Sequence, residues 1–286
     1  MSKEVAVVVP TIRPEKMAEF KKAWDFSGVH FITVWDGKNP KLEFEGKKYS
    51  IKDIMGGYDD TIVNFSASMR NLGFAYIAKR LPDVQYIVTL DDDVTPVGQT
   101  IEDHVNALNM RVPISWMTIG TRYARGFPYS VRTEAPVMVS HGVWFGDPDI
   151  DAPTQLVEGL KEMKFLKMPI PKGCYYTMSG MNVAFRREML PYMYFAPRVC
   201  GLNRNGDIWA GITSKRIMDK KGWAVVTGFS VVHHARASNV WKNLEKEWKF
   251  LRLNETFWQG DEKDEYFKEY NKLRKRYESY ILNDAK

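Results

Sequence analysis

Two apolar runs near the amino terminus predict the first part of the fold. Residues 5–9 (VAVVV) form a continuous, mostly β-branched run, which is typical of a strand covered on both faces. A helical segment over residues 15–24 follows, and residues 29–35 form a second strand. Strand, helix and strand joined by short turns make a βαβ unit, so we expect the two strands to be parallel.

The alternation of strand and helix patterns continues along most of the chain. Helices are predicted over residues 66–80, 102–109, 155–163, 186–193 and 207–221, and strands over residues 86–90, 116–119, 137–141, 178–185 and 223–232. Residues 38–62 are polar and contain glycine, which indicates a hairpin or an irregular insertion. The predicted fold class is therefore α/β, with a Rossmann-type, mostly parallel sheet flanked by helices.

The composition of the chain changes from about residue 240. Residues 240–286 are helix-prone and highly charged, and their large apolar side chains recur at roughly helical intervals. We therefore predict an α/β domain over residues 1–239 and a C-terminal helical appendage over residues 240–286. The appendage is expected to pack on the sheet or on a partner subunit.

Three consecutive carboxylates follow one of the predicted strands. The apolar run at residues 86–90 ends directly in Asp91, Asp92 and Asp93. Alternate side chains of an extended chain share a face, so Asp91 and Asp93 can point the same way. That arrangement suits a hard divalent cation that also holds substrate phosphates. The alternative is a solvated acidic turn.

Other polar residues also lie where predicted strands end. Thr11 and Arg13 follow the first strand, and Asp36 follows the second. Open parallel sheets bind their ligands at the carboxyl ends of the strands, so we expect these residues to meet the acidic triplet. Arg70, early in the helix at residues 66–80, either faces the same crevice or is a surface cation.

Composition and charge exclude several classes of function. The net charge is +6 with a pI near 9.1, which suits an anionic substrate, and without a basic arm or a known motif we expect no nucleic-acid binding. Cys174 and Cys200 lack the spacing of a metal site or a disulfide framework. There is no signal-peptide core and no apolar window of about 20 residues, so we expect a cytoplasmic protein without a membrane span.

Two further segments carry candidate chemistry. Residues 121–135 (TRYARGFPYSVRTEA) place Arg122, Arg125 and Arg132 among aromatic residues, either as an exposed basic loop or facing a pyrophosphate or sugar. Asp207 opens a predicted helix, and capping that helix is its simpler role. His234 ends the last predicted strand as a structural residue or a metal ligand.

Short blocks spread from residue 9 to residue 239 carry a resemblance to a known family. They are VPTIR (9–13), LDDD (90–93), RGFPYSVR (125–132), VSHGVW (139–144), PDIDAPTQL (148–156), PKG (171–173), GMNVAF (180–185), WAG (209–211) and ASN (237–239). Together they resemble the reversibly glycosylated polypeptides, the UDP-arabinopyranose mutases. More broadly the chain resembles the GT-A fold of nucleotide-sugar glycosyltransferases, in which an Asp-x-Asp motif holds a metal against the diphosphate.

The resemblance implies a site for a UDP-sugar and a divalent metal in a GT-A-like domain at residues 1–239. Asp91, Asp92 and Asp93 match the metal-binding triplet, and His234 matches the late histidine of the family. The metal ligands expected are Asp91, Asp93 and His234, with Mn²⁺ as the ion and Mg²⁺ as the alternative. The nucleotide-binding residues expected are Pro10, Thr11, Arg13, Asp36, Arg70, Asp91 and Asp92.

The resemblance also implies a reaction. It is the interconversion of the pyranose and furanose forms of UDP-arabinose, with reversible self-glycosylation on an arginine that Arg125 matches. Arg132 matches a second arginine needed for activity. A guanidinium is normally protonated and a poor nucleophile, so Arg125 needs a carboxylate partner, for which Asp149, Asp151 and Asp207 all remain candidates. A homo-oligomer is also expected.

The chain departs from the family pattern at three places, and two other functions compete. The family tends to have two acids before its Met-Trp-Ala-Gly block, whereas Asn205-Gly206-Asp207-Ile208 contains one. Residues 38–62 and those beyond 259 also match poorly.

One competing function is a metal-dependent glycosyltransferase with a separate acceptor. The other is a non-catalytic, self-glycosylating scaffold whose C-terminal helices bind a partner.

Overall fold

A computed structural model describes residues 3–117, 123, 125–161, 164–199, 205–235, 239–259 and 263–283. The strands in these ranges are β1 (Val5–Thr11), β2 (His30–Trp35), β3 (Lys41–Phe44), β4 (Lys47–Tyr49), β5 (Tyr86–Leu90), β6 (Val94–Pro96), β7 (Arg111–Val112), β8 (Ala135–Gly146), β9 (Met168–Ile170), β10 (Asn182–Arg186) and β11 (Ala224–His234). The α-helices are α1 (Pro14–Ala23), α2 (Ile51–Met55), α3 (Arg70–Arg80), α4 (Thr100–Leu108), α5 (Ala152–Glu158), α6 (Gly206–Lys221), α7 (Val240–Trp258) and α8 (Glu265–Asn283).

The strands form one mixed sheet whose principal strands share a direction. The order across it is β4-β3-β2-β1-β5-β10-β8-β11-β6, with β7 beside β8 and β9 beside β11. β1 is parallel to both β2 and β5, and β8 is parallel to β11. β10 runs antiparallel between β5 and β8. β1, β2, β5, β8 and β11 therefore end at one edge, and the predicted α/β fold with a parallel βαβ unit is confirmed.

Both faces of the sheet are covered by apolar residues. Along β1, Val5, Val7 and Val9 join an apolar cluster with residues of α1 and α4. Ala6 and Val8 face the opposite cluster, which includes residues of α3, α6, α7 and α8. All five side chains are buried, as the unbroken apolar run predicts for a strand between two layers.

The C-terminal helices pack into the second of these clusters. Trp209 of α6 is fully buried, and its ring lies 5.4 Å from that of Phe250 on α7 and 4.7 Å from that of Tyr266 on α8. The appendage expected beyond residue 240 is thus helical and rests on the body of the fold. The domain boundary at residue 240 stays a prediction. No helix in the described ranges has the length and apolarity needed to cross a bilayer.

Several element boundaries differ from those predicted. The helix expected over residues 66–80 starts with a 3₁₀ turn at Ala67–Met69, where the Ser66 hydroxyl accepts a hydrogen bond from the Ser68 amide, and α3 begins after it. The helix expected over residues 186–193 contains only the 3₁₀ turn Arg187–Met189. Trp116 and Met117 are not in a strand, and the rest of that predicted strand lies outside the described residues.

The insertion at residues 38–62 combines the two alternatives that its composition allowed. It contains the β3–β4 hairpin, the short helix α2 and the 3₁₀ helix Gly56–Thr61. Ser50 and Asp53 form a reciprocal capping box at the start of α2, which satisfies two backbone N–H groups there. Local side-chain bonds of this kind explain why a polar segment still folds into regular elements.

A glycine brings the start of α6 close to the segment before β10. A Cβ atom at position 211 would lie 2.7 Å from the backbone nitrogen of Met178 and 2.7 Å from its Cβ. Atoms in the backbone cannot move aside as a flexible side chain can. Gly211 therefore sets the distance between α6 and the chain that leads into β10, and both border the site described below.

We expect Gly211→Ala to destabilise the fold. Replacing glycine by alanine inside a helix gains about 1 kcal/mol of helix propensity, whereas overpacking against backbone costs about 1–3 kcal/mol or more. The net loss of unfolding free energy is measured by urea denaturation. The matched control is Gly57→Ala, where no atom lies within 4 Å of the added Cβ, with an expected change within about 0.5 kcal/mol. Equal stability of both variants would contradict the close packing of α6.

Candidate functional site

A cavity of about 890 Å³ opens at the edge of the sheet where the principal strands end. Its described lining includes every predicted site residue except Arg125 and Arg132: Pro10, Thr11, Arg13, Asp36, Arg70, Asp91, Asp92, Asp93, Asp149, Asp151, Asp207 and His234. They come from the ends of β1, β2, β5 and β11, from α3 and α6, and from the chain around α5. The fold thus gathers residues that are far apart in the sequence.

Asp92 is bound from two sides within the wall of this cavity. The Thr11 hydroxyl donates to Asp92 Oδ2, and the Arg13 guanidinium donates to both oxygens of the same carboxylate, through Nε at 3.1 Å and through Nη2. Arg13 Nη2 also lies 3.0 Å from Asp93 Oδ2. Because the ionised carboxylates favour the charged guanidinium, the pKa of Arg13 is raised further above its ordinary value. These bonds tie the β1–α1 turn to the acidic triplet.

Arg70 makes the second ion pair with the triplet. Its Nη2 donates to Asp91 Oδ1, and its Nε donates to Thr89 Oγ1 at 3.1 Å. The guanidinium carbon lies 5.4 Å from the centre of the Phe195 ring, within reach of a cation–π interaction. Arg70 is only 6% exposed, so the surface-cation alternative is wrong and the arginine faces the crevice.

The Asp91 carboxylate has a perturbed acidity. Burial in the cavity wall raises its pKa to about 6; Arg70 opposes that rise, and the charges of Asp93, Asp207 and Asp149 add to it. The Asp91 side chain still keeps 36% of its exposure and opens on the cavity. A carboxylate in this position gains from any cation that enters.

The cavity has an excess of negative charge although the whole chain has a net charge of +6. Its described lining contains eight acidic residues, against the two arginines Arg13 and Arg70. The acids are Asp36, Asp91, Asp92, Asp93, Asp149, Asp151, Asp207 and Glu247. An anionic ligand meets net repulsion in such a cavity unless a further cation accompanies it.

Asp207 and Asp151 have different local roles. The Asp207 carboxylate accepts a hydrogen bond from the Gly180 amide at 3.0 Å, and the N-cap position of α6 is Asn205, so Asp207 is not the N-cap residue that the simpler interpretation made it. Asp151 does cap α5, accepting from the Thr154 amide at 3.0 Å. Asp149 accepts from the Ser179 hydroxyl at 3.0 Å. The segment before β10 therefore orients two of the three candidate acids.

Asp36 uses its carboxylate to hold a backbone turn. It accepts hydrogen bonds from the amides of Gly37 at 2.8 Å, Phe65, and Ser66 at 3.2 Å. Burial raises the pKa of Asp36, and the three amide bonds oppose that rise. Phe65 lines the cavity beside it, although no sequence pattern marks it as a site residue. An isolated phenylalanine in a polar segment gives no periodic signal that would have identified it.

Helix α7 forms one wall of the cavity, which the prediction of an appendage missed. Glu247, Phe250, Leu251 and Asn254 all line it. Their spacing of three, four and seven residues places them on one helical face, and that spacing was a usable signal. Glu247 is buried and accepts a hydrogen bond from the Ala152 amide at 2.7 Å, which ties α7 to the start of α5.

His234 has a defined tautomer at the end of β11. Its Nδ1 lies 2.9 Å from the carbonyl oxygen of Asp147. A carbonyl only accepts hydrogen bonds, so Nδ1 carries a proton, and in the neutral imidazole the lone pair is on Nε2. Metal-binding histidines usually have this arrangement, and the donor types of Asp91, Asp93 and His234 fit Mn²⁺. Among the described side chains, no three His, Cys, Asp or Glu residues are assembled as a metal-binding group.

Arg125 and Arg132 lie in a loop whose described residues do not line the cavity. Arg125 is exposed on a turn with Gly126. Arg132 lies over two rings, with its guanidinium carbon 3.8 Å from the centre of the Tyr129 ring and 4.4 Å from that of Tyr123. Its Nη2 donates to the carbonyl of Phe127 at 2.9 Å, so Arg132 stabilises the loop. Arg122 lies outside the described residues.

The chain is similar to known proteins over most of its length. A family model described as "Reversibly glycosylated polypeptide" matches residues 1–260. UDP-arabinopyranose mutase 3 of Arabidopsis thaliana is 36% identical, over 90% of this chain and 76% of the relative. Probable UDP-arabinopyranose mutase 1 of Pisum sativum is also 36% identical, and UDP-arabinopyranose mutase 1 of Oryza sativa subsp. japonica is 34% identical, each with the same coverage. The chain therefore belongs to the reversibly glycosylated polypeptide family.

Proposed function

We propose that this chain is a nucleotide-sugar mutase that interconverts UDP-arabinopyranose and UDP-arabinofuranose. One observation carries the proposal: the Asp91–Asp93 triplet and two arginines, Arg13 and Arg70, face one cavity in a chain related to proteins named as UDP-arabinopyranose mutases. The arginines supply positive charge for a diphosphate, and the triplet supplies oxygen ligands for a cation. The expected homo-oligomer and cytoplasmic location stay predictions.

The order of strand ends suggests how the substrate lies. Along the edge the ends follow in the order β2, β1, β5, and β8 and β11 come after the reversed strand β10. Neighbouring strands are about 4.8 Å apart, so β5 ends about 10 Å from β2. We place the diphosphate at the triplet after β5, the uridine toward β2, and the sugar toward Asp149 and Asp207.

The reaction moves the ring oxygen without changing the formula. The bond between C1 and the phosphate oxygen breaks, and the electron pair leaves with UDP. An arginine nitrogen bonds to C1 and loses a proton to a carboxylate. The C1–O5 bond then breaks as the nitrogen lone pair forms a C=N bond to C1, and O5 takes the proton from the carboxylic acid. O4 adds to C1, which restores the C–N single bond, and gives its proton back to the carboxylate. The reverse transfer returns the furanose to UDP.

A divalent metal, Mn²⁺ with Mg²⁺ as the alternative, belongs to this proposal. Asp91, Asp93 and the Nε2 atom of His234 would hold it. When bound, the ion neutralises charge on the leaving diphosphate. The negative charge of the cavity supports this role, because the substrate is itself an anion. Arg13 and Arg70 hold the triplet in place and share in binding the diphosphate.

Arg125 is our proposed site of self-glycosylation. The support for it is its match to the family's arginine, together with its exposure on a turn that a sugar can approach. Asp149 and Asp207 are the proposed proton acceptors, since both line the cavity on the sugar side. Arg132 holds the turn through its stacking on Tyr129 and its bond to Phe127.

The position of Arg125 also favours a second candidate function. Arg125 is not part of the described lining of the cavity. A sugar bound there would therefore have acidic side chains, and not Arg125, as its neighbours among the described residues. Asp149 or Asp207 would then activate a hydroxyl of a separate acceptor, as in a glycosyltransferase. The two functions differ in their product, because only the mutase releases a furanose nucleotide.

The mutase proposal predicts a specific product. We expect the wild-type chain, incubated with UDP-arabinopyranose and Mn²⁺, to form UDP-arabinofuranose, which chromatography of the nucleotide sugars separates from the substrate. Asp91→Asn is expected to lose at least about 100-fold in kcat/KM, because a triplet residue that contacts metal and phosphate acts on the transition state. Asp83→Asn, an exposed acid outside the cavity, is the control. Sugar found only on a second molecule would favour the glycosyltransferase.

Arg125→Ala is expected to abolish labelling of the chain by radioactive UDP-sugar, because the nitrogen that bonds to C1 is removed. Mass spectrometry of wild-type peptides is expected to find the sugar on Arg125. The control, Arg80→Ala, removes an exposed arginine at the end of α3 and is expected to label at the wild-type rate. Unchanged labelling of Arg125→Ala would move the modification to another residue.

Metal binding is expected to depend on pH through Asp91. Its pKa of about 6 means that the carboxylate is ionised above this pH and protonated below it. Since a cation needs the ionised form, Mn²⁺ affinity should fall by about tenfold for each pH unit below 6, as titration calorimetry would measure. Asp91→Asn should bind weakly without this pH dependence. Full turnover in excess EDTA would contradict the proposed role of a divalent metal.

A further inference from the structure

Phe65 has an unusual backbone for an aromatic residue. Its φ is +57°, in the left-handed region that side chains larger than that of glycine seldom adopt. The side chain is 57% exposed although it is large and apolar, and it lines the cavity. A strained residue persists only where its surroundings hold it, and such residues concentrate at ligand sites.

Hydrogen bonds to the Asp36 carboxylate hold the backbone of Phe65 in this conformation. This carboxylate accepts hydrogen bonds from the Phe65 amide, which precedes the Phe65 Cα, and from the Ser66 amide, which follows it. It also accepts a hydrogen bond from the Gly37 amide. The Phe65 ring lies against Gly37, 3.4 Å from the position of a Cβ atom there. Gly37 itself has a φ of +110°, which favours glycine. Two separate chain segments thus fix one exposed ring.

The position of this ring along the sheet edge limits what can bind on it. Asp36 follows β2, two strands away from the triplet that follows β5, so the ring lies on one side of the proposed diphosphate site. Of the carboxylates suited to the sugar chemistry, Asp149 follows β8, beyond β5. Asp207 bonds to the Gly180 amide just before β10, the strand on the far side of β5 from β1. The planar part of the ligand therefore falls on the side of Phe65.

We propose that Phe65 is the stacking platform for the uracil base and that Asp36 is the positioning residue that holds the platform. This inference rests on the proposed nucleotide-sugar function and deepens it. An exposed aromatic ring binds a base through its face and contributes to affinity without reading the base edge. Asp36, expected above to contact the nucleotide directly, acts on it through Phe65.

The experiment compares UDP with a ligand that has no base. Titration calorimetry in Mn²⁺ buffer measures binding of UDP and of inorganic pyrophosphate to the full chain. The variant Phe65→Asn removes the ring, and asparagine tolerates the left-handed backbone, so the turn is retained. We expect UDP to bind about 10- to 100-fold more weakly and pyrophosphate to bind as in the wild type.

Three controls make the result specific. Phe65→Tyr keeps a ring and should bind UDP as the wild type does. Trp241→Asn removes another exposed aromatic residue, 62% exposed and outside the described lining, and should have no effect. Asp36→Ala should weaken the binding of UDP but not that of pyrophosphate. Adding Asp36→Ala to Phe65→Asn should cause no further loss of UDP affinity, because both residues act through the same ring.

The outcomes separate this inference from the function on which it rests. If the wild type binds UDP and Phe65→Asn binds it equally well, the proposal that Phe65 stacks on the base is wrong, and the proposed function is not affected. If Phe65→Asn weakens pyrophosphate as much as UDP, the substitution disturbs the phosphate end and the platform is again wrong. If the wild type binds pyrophosphate but shows no preference for UDP, the nucleotide-sugar function itself is contradicted.

Discussion

The partly buried ion pairs of Arg13 and Arg70 with the carboxylates at the end of β5 are the interaction on which the ligand-binding edge depends. Three adjacent carboxylates repel one another, and the arginines of the β1–α1 turn and of α3 offset that repulsion, together with the Thr11 hydroxyl that donates to Asp92. Removing one partner leaves a charge without compensation, and because Arg13 and Asp91 keep 28% and 36% of their exposure, water offsets part of the loss of about 3–5 kcal/mol that is typical of a fully buried pair. The same pairs join three elements, so the sheet edge and the triplet are held as one unit.

Much of this arrangement could be predicted from the sequence because local signals and topology agree. The unbroken run at residues 5–9 has the pattern of a strand buried on both faces, and the βαβ unit after it fixes the direction of β2. Once the principal strands share a direction, residues after each of them meet at one edge. Thr11, Asp36 and Asp91 were assigned to a common crevice on that ground, and they line one cavity.

The features that could not be predicted depend on contacts between distant segments. Phe65 owes its backbone to Asp36, 29 residues away, and no local pattern marks that pair. The boundary at residue 240 follows a change in composition, yet α7 faces the cavity through Glu247 and Asn254, and composition carries no information on packing. For Arg125, the family match assigns a chemical role, but a match of residues does not locate the side chain relative to the cavity.

The reversed strand β10 divides the sheet edge into two parts. Every neighbour of β10 ends at this edge, whereas β10 begins there, so the chain enters it through the short segment at Ser179 and Gly180. That segment bonds to Asp149 and Asp207 on one side, and the Met181 carbonyl accepts from the Asp91 amide on the other. One short segment therefore sets the distance between the carboxylates on the sugar side and the triplet on the nucleotide side, and a displacement of this segment would move both.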